Sequence, residues 1–359
     1  MEQNISVQDL LNKTIQNHGS DLHIVAGFKP IIRINGALKQ VDSYPDLSKE
    51  LTEKLIFELL TEGQKEIFLA NRSLDFSYGF GSGNYGDKGR FRINVFFQRG
   101  TMAASLRLLP AVVKTIEELG LPSICHTFSS YKQGFVLVTG PTGHGKTTTI
   151  ASMVNEINMS RSENIITIED PIEYVYSKGK SIISQREIGQ DTHSWNEALK
   201  SILREDPNVV VIGEMRDPES IASAITIAET GHLVFSTLHT NSASQSVDRI
   251  IDSFPESQQN QVRTQLSSAL AGIISQRLIP SINGTRVVAS EVLLATNAIR
   301  SNIREAKTHL IDSIIETSTD AGMNTMESSL ALLVKKGSIT LETAKGYVLR
   351  PDSFERLIG

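Results

Sequence analysis

Gly140-Pro-Thr-Gly-His-Gly-Lys-Thr147 follows the apolar run Phe135-Val-Leu-Val138 and precedes a helix-compatible segment from Thr148 to Ile157. The order strand, glycine loop, helix, together with the spacing G-x-x-x-x-G-K-[ST], predicts a loop whose backbone N–H groups turn inward around phosphates. In that reading Gly140, Pro141, Thr142, Gly143, His144, Gly145, Lys146, Thr147 and Thr148 surround a nucleotide such as ATP. Lys146 reaches the terminal phosphates and Thr147 offers its hydroxyl to Mg²⁺. Residues without a Cβ let the loop curl tightly, and the N-terminus of the following helix adds the positive end of its dipole.

Downstream, β-type and helical runs alternate. Asn164-Ile-Ile-Thr-Ile168, a helix around Trp195 to Leu203, Asn208-Val-Val-Val-Ile212, a helix from Pro218 to Glu229 and Leu233-Val-Phe-Ser-Thr237 follow one another. Such alternation predicts an α/β domain with a mostly parallel sheet covered by helices and a ligand at the carboxyl ends of the strands. The polar residues fall at those ends. Ile168 precedes Glu169-Asp-Pro-Ile-Glu173, Ile212 precedes Gly213-Glu214, and Thr237 precedes Leu238-His239. An apolar strand closed by an acid fits the Walker B pattern, so Glu214 is the expected metal-side carboxylate, with helix-cap or turn duty as its plain structural alternative. Glu169 and Glu173 compete for the role of orienting or deprotonating the attacking water, and the residues alone leave that choice open. His232 and His239 bracket one strand, where an imidazole near a γ-phosphate could sense it. Arg204 closes the Trp195 helix, with Arg186 and Arg216 nearby, and guanidinium groups suit phosphates or subunit salt links.

Upstream, Val7, Leu10, Leu11 and Ile15 recur at helical spacing after Ser6, and Asp21-Leu-His-Ile-Val25 and Pro30-Ile-Ile-Arg-Ile34 read as strands before an Asn35-Gly36 turn. His23 is assigned to a solvated or domain-contact face without a catalytic role. Helices are expected from Leu51 to Leu60 and from Gln64 to Asn71, and strands over Leu74 to Phe80, Arg90 to Gln98 and Thr101 to Leu109, with an irregular glycine-rich stretch at Gly81 to Gly89. Residues 1–110 therefore form a smaller α+β domain, 111–122 a linker with a helical piece near Ile116 and Leu119, and 123–295 the phosphate-loop domain. Residues 296–359 form a helical C-terminal region that follows a helix expected from Gln258 to Gln276 and a strand from Arg286 to Leu294. Further helices are read at Asn297 to Glu305, Leu310 to Thr317, Thr325 to Lys335 and Leu341 to Leu349. Arg90 and Arg92 share a face of one strand and Arg107 lies on the next; they are either a solvated basic face or arginines supplied to bound phosphates.

The chain has 359 residues, a formal net charge of −5 and one cysteine, Cys125. This length suits two or three domains, the charge argues against non-specific nucleic-acid binding, and a lone cysteine excludes an internal disulfide and a tetracysteine zinc site. No basic residues interleave with aromatic stacking platforms, which counts against a DNA translocase. Without a signal-type N-terminus or a run of about 18 apolar residues, the expectation is a cytoplasmic chain that meets a membrane only through partners.

Taken together, Asp21-Leu-His-Ile24, Gly140 to Thr147, Ile168-Glu-Asp-Pro-Ile-Glu173, Ser184-Gln-Arg-Glu187, Val211-Ile-Gly-Glu-Met-Arg-Asp217, Glu229-Thr-Gly-His-Leu233, Thr237-Leu-His-Thr-Asn241 and Asp248-Arg-Ile-Ile251 resemble the PilT family, the retraction ATPases of type IV pili. The resemblance implies a PAS-like N-terminal domain joined to a RecA-like P-loop motor, a homo-hexameric ring, and an inner-membrane pilus platform as partner. It places the family's Asp box on Glu169 to Glu173, its Walker B acid on Glu214 and its His box on His232 to His239. It prefers Glu173 as general base, and makes Arg92 and Arg107 candidate arginines from the N-terminal domain. Ala298-Ile-Arg-Ser-Asn-Ile-Arg-Glu305 resembles the family's retraction motif, with Ser301 and Asn302 where the family has Asn and Leu. Alternatives are a related secretion, conjugation or accessory pilus motor, and a nucleotide-binding scaffold that hydrolyses little.

Overall fold

The computed structural model describes residues 5–81, 89–109 and 112–359. The expectations for Met1 to Asn4, for most of the glycine-rich stretch after Gly81 and for Pro110 lie outside these residues. The chain divides into two compact units. One comprises the residues up to Val112 together with Pro171–Val175, and the other Val113–Asp170 with Tyr176–Gly359.

In the first unit α1 (Val7–Gln16) starts at Ser6, whose hydroxyl accepts the Asp9 N–H. A Ser N-cap satisfies one of the donors that a helix start leaves orphaned. Strands β1 (Asp21–Val25), β2 (Ile31–Ile34) and β3 (Ala37–Gln40) follow, then α2 (Lys49–Phe57) and α3 (Glu62–Asn71). Strands β4 (Ser73–Phe80), β5 (Gly89–Gln98) and β6 (Thr101–Leu109) complete an antiparallel sheet of order β3-β2-β1-β6-β5-β4. Alternation along β5 buries Phe91, Ile93 and Val95 and turns Arg92 outward. Those residues meet Leu10, Leu22, Leu55 and Phe68 in one core.

The second unit opens with turns from Ile116 to Gly120 where a helical piece was expected, followed by α4 (Ile124–Ser130), which the sequence reading did not anticipate. The elements then run β7 (Gly134–Thr139), α5 (Lys146–Ser160), β8 (Asn164–Glu169), β9 (Ile182–Glu187), α6 (Trp195–Ile202), β10 (Val209–Ile212), α7 (Pro218–Glu229), β11 (Leu233–Leu238), α8 (Ala243–Asp252), α9 (Glu256–Ala269), β12 (Leu270–Pro280) and β13 (Arg286–Leu294). The sheet order is β13-β12-β7-β11-β10-β8-β9. All neighbours are parallel except the β12–β13 hairpin. Helices α10 (Asn297–Arg304), α11 (Ile311–Thr317), α12 (Met326–Lys335), α13 (Leu341–Lys345) and α14 (Pro351–Ile358) belong to the same unit.

The helix expected from Gln258 to Gln276 is corrected to α9 and β12. Leu270 to Ile274 is a buried apolar run, which fits a central strand as well as a buried helix, so periodicity alone could not decide. Packing decides it: a Cβ on Gly272 would sit 2.4 Å from the Phe128 ring, so β12 lies close against α4. The expected helix at Leu341 to Leu349 stops at Lys345. Strand β9, whose last four residues are Ser184-Gln-Arg-Glu187, is an edge strand too polar to announce itself. The sheet is covered on both faces, by α4 and α5 on one side and by α6 to α11 on the other, with α12 to α14 closing a smaller core against β12 and β13.

Candidate functional site

Four adjacent parallel strands, β7, β11, β10 and β8, end side by side, and each delivers polar residues at its carboxyl end. β7 runs into the phosphate loop, β11 into His239, β10 into Gly213-Glu214, and β8 closes on Glu169. Thr237 Oγ1 donates to Gly213 O at 2.7 Å and Ser236 Oγ to Ile212 O at 2.8 Å, tying the β11 and β10 ends together.

Lys146 opens α5 and its ammonium donates to Gly140 O at 2.8 Å and to Pro141 O at 3.0 Å. It also lies 3.2 Å from His239 Nδ1, which in turn is 3.3 Å from Thr142 Oγ1. His239 Nε2 is 3.1 Å from Glu214 Oε1, and Arg216 donates to Glu214 Oε2 at 3.0 Å. The result is a hydrogen-bonded line, Lys146, His239, Glu214, Arg216, with one carboxylate among basic groups beside the phosphate loop. Burial opposes ionisation of Glu214, yet the Arg216 bond and charge and the His239 contact outweigh it and hold the carboxyl below the usual range.

The loop is braced by β12, which the sequence reading missed. Gln276 is buried, accepts from Thr149 Oγ1 at 2.8 Å and donates to His144 O at 2.7 Å. Leu278 N–H donates to His144 Nδ1 at 2.9 Å, so this nitrogen acts as an acceptor. Burial, reinforced by the charges of Arg277, Arg286 and Lys146, lowers the His144 pKa and favours that neutral form. Gly140, at φ +142°, lies so near the strand that a Cβ would be 2.3 Å from Gln276 O. Nothing in the local sequence of Gln276 signals this contact, since its partners lie 127 and 132 residues away.

The remaining candidates are distributed as follows. Glu169 is buried, with Oε1 accepting from Thr167 Oγ1 at 2.7 Å and Gln185 Nε2 at 3.1 Å. Glu173 lies in the Pro171–Val175 segment that groups with the first unit. His232 precedes β11, its carbonyl accepting from Gly134 N–H and its Nδ1 3.0 Å from Ile227 O. It is therefore at the amino end of the strand, roughly 20 Å from His239 at about 3.3 Å per residue, and the structure does not bring it to the phosphate loop of its own chain. Arg204 follows α6 beside Glu205, whose carbonyl accepts from Asn164 at the start of β8, so it too sits at the amino ends of the strands. Arg92 and Arg107 are cross-strand partners on β5 and β6, and Arg107 Nε donates to Asp21 Oδ1 at 3.0 Å.

For a metal, the donor set is a hydroxyl and a carboxylate. Thr147 Oγ1 bonds to no group among the described residues, whereas Thr149 is spent on Gln276, and Glu214 is kept ionised. Hard oxygen donors of this kind fit Mg²⁺ that keeps several waters and takes the rest of its shell from phosphate. Among the described residues no cluster of three or more His, Cys, Asp or Glu could hold a metal by itself.

The type II/IV secretion system protein family matches residues 88–308. A type IV pilus retraction ATPase, PilT of Pseudomonas aeruginosa, is 41% identical over 350 residues, covering 98% of this chain and 100% of that protein. A twitching motility protein of Neisseria gonorrhoeae is 44% identical over 330 residues, covering 92% of this chain and 87% of that one. The crystal structure of the pilus retraction motor PilT with bound ADP superposes with a TM-score of 0.91 at 46% identity, covering 98% of this chain and 100% of that one.

Proposed function

The chain belongs to the PilT family of ATPases within the type II/IV secretion system proteins, and on that premise we propose that it hydrolyses ATP with Mg²⁺, as a homo-hexamer, to drive type IV pilus retraction. The observation that carries the hydrolytic part is the line of Lys146, His239 and Glu214 across three neighbouring strand ends at the phosphate loop.

Phosphoryl transfer to water is mainly positioning and charge stabilisation. Lys146, drawn toward the loop carbonyls in the structure, would pair with the terminal phosphates. Thr147 and Glu214 would hold Mg²⁺ or its waters, and the ion would supply neutralisation of developing negative charge. His239, between Lys146 and Glu214, would report the state of the γ-phosphate to α8 and β11. Glu173 would orient the water. Arg92, exposed on β5, and Arg107, already paired with Asp21, would add positive charge, a reading that rests on the family resemblance. His232 and Arg204 take no part in this proposal within their own subunit.

The partner would be a pilus platform protein at the inner membrane. Among the described residues no helix is long and apolar enough to cross a membrane. The test is Mg²⁺-dependent ATP hydrolysis by the purified chain. Lys146→Ala loses nucleotide binding, while Glu214→Gln and Glu173→Gln bind ATP and turn over roughly 10²–10³-fold more slowly. Wild-type turnover in all three would overturn the site, and a cell with normal pilus retraction after deletion of the gene would overturn the motor role.

A further inference from the structure

Away from the phosphate loop, two carboxylates with fully buried side chains, Glu291 on β13 and Glu327 on α12, meet one guanidinium, Arg350, the residue before α14. Arg350 Nη2 donates to Glu291 Oε2 at 2.6 Å and Nε to Glu327 Oε2 at 3.3 Å, with Asp312 Oδ2 3.4 Å from Nη1. Glu327 spends its other oxygen locally, on the Leu349 and Arg350 N–H groups at 3.0 and 2.9 Å. Glu291 does something else: its Oε1 accepts the Ala243 N–H at 2.8 Å, at the first residue of α8.

That contact lies four residues after His239. Nearby, Thr240 Oγ1 bonds Ser246 Oγ at 2.6 Å, and Ser246 Oγ donates to Ser242 O at 2.7 Å, so Thr240 is tied by hydrogen bonds to the first turns of α8. A buried charge group stabilises a fold poorly compared with an apolar side chain of similar volume. Glu291 therefore calls for a reason other than packing, and burial indeed pushes its carboxyl above the usual range despite Arg350 and the Ala243 N–H.

Resting on the hydrolytic reading above, we propose that Glu291 is a positioning residue: by joining Arg350 to the Ala243 N–H it fixes the start of α8 and thereby holds His239 between Lys146 and Glu214. Arg350, just before α14, thus bears on the geometry of the hydrolytic cluster through Glu291, because a displacement of about 1 Å at reacting groups costs on the order of 10²-fold in rate.

Two isosteric variants separate this role from plain stability. In Glu291→Gln the amide must turn its NH₂ toward one of two donors, Ala243 N–H or Arg350. Glu327→Gln makes the same change in the same cluster without touching α8. Steady-state ATP hydrolysis by the full chain, with Lys146→Ala as control, is the measurement. Glu291→Gln lowers kcat at least about tenfold with KM for ATP within about twofold, and Glu327→Gln leaves both within about twofold. Equal loss of kcat in the two variants, or wild-type kcat in Glu291→Gln, overturns the proposal. Should Glu291→Gln not yield folded protein, Arg350→Lys, which keeps the charge and loses the fork, is held to the same kcat and KM limits. Hydrolysis that survives Lys146→Ala would instead overturn the underlying site, which keeps the two failures apart.

Discussion

Gly140 stands where the loop leaves β7, and any Cβ there meets the carbonyl of Gln276 on the neighbouring strand. Gly140→Ala combines a positive φ with a backbone clash, so we expect a loss of about 2 kcal/mol or more in urea denaturation and weaker ATP binding. Gln276→Ala tests the other side of the same contact. It strands the buried Thr149 hydroxyl, at about 1–3 kcal/mol, leaves the half-buried His144 carbonyl without its partner, and loosens the loop, so the KM for ATP rises before kcat changes. The loop motif was legible because its glycines, lysine and threonine are contiguous and their spacing has one chemical reading. Gln276 was not legible, because its role depends on which strand lies beside β7. The pair His232 and His239 shows a signal that local reading could have used: six strand residues between them put them at opposite ends of β11, so only the one at the carboxyl end can reach the loop.

At the scale of elements, α4 and α5 are joined by a histidine. His126 Nδ1 lies 2.5 Å from Glu156 on α5, and its Nε2 3.1 Å from Glu117 in the turn that precedes α4. The Glu156 bond, with the charges of both glutamates, raises the His126 pKa above its ordinary 6.5. A base whose folded pKa is raised contributes stability that is complete below about pH 6.5 and is lost as pH climbs through the folded value. His126→Gln should therefore melt below wild type at pH 6 and converge with it at alkaline pH; parallel curves across that range would refute the link. The strands flanking the loop were readable from their apolar runs and acidic ends, as were α7 and β13, whose turn and cap residues mark their limits. The α9–β12 boundary was hidden because a fully buried strand carries no alternation. In α10 the half-buried Asn302 replaces an apolar residue of the family motif, while the apolar contacts fall to buried Ile299 and Ile303. Arg300 there donates to Ala295 O at 2.9 Å and Ser268 O at 2.6 Å, at the end of α9.

For the whole molecule, a ring of six predicts a light-scattering mass near six times 39.4 kDa in the sample that hydrolyses ATP. Full activity in a species of one chain would remove the ring from the proposal. Which family the chain belongs to was legible because motifs spread over nearly its entire length agree, whereas the grouping of Pro171–Val175 with the first unit was not, since no composition change marks it. The Arg350 cluster also bears on how the protein is made. Glu291 leaves the ribosome 59 residues ahead of Arg350 and Glu327 23 residues ahead. At about 5–20 residues per second the first carboxylate waits roughly 3–12 s for its counter-charge. During that interval Glu291 has no guanidinium partner and burial favours its neutral acid, so β13 can join the sheet edge first and the ion pair with Arg350 is the last contact to form there.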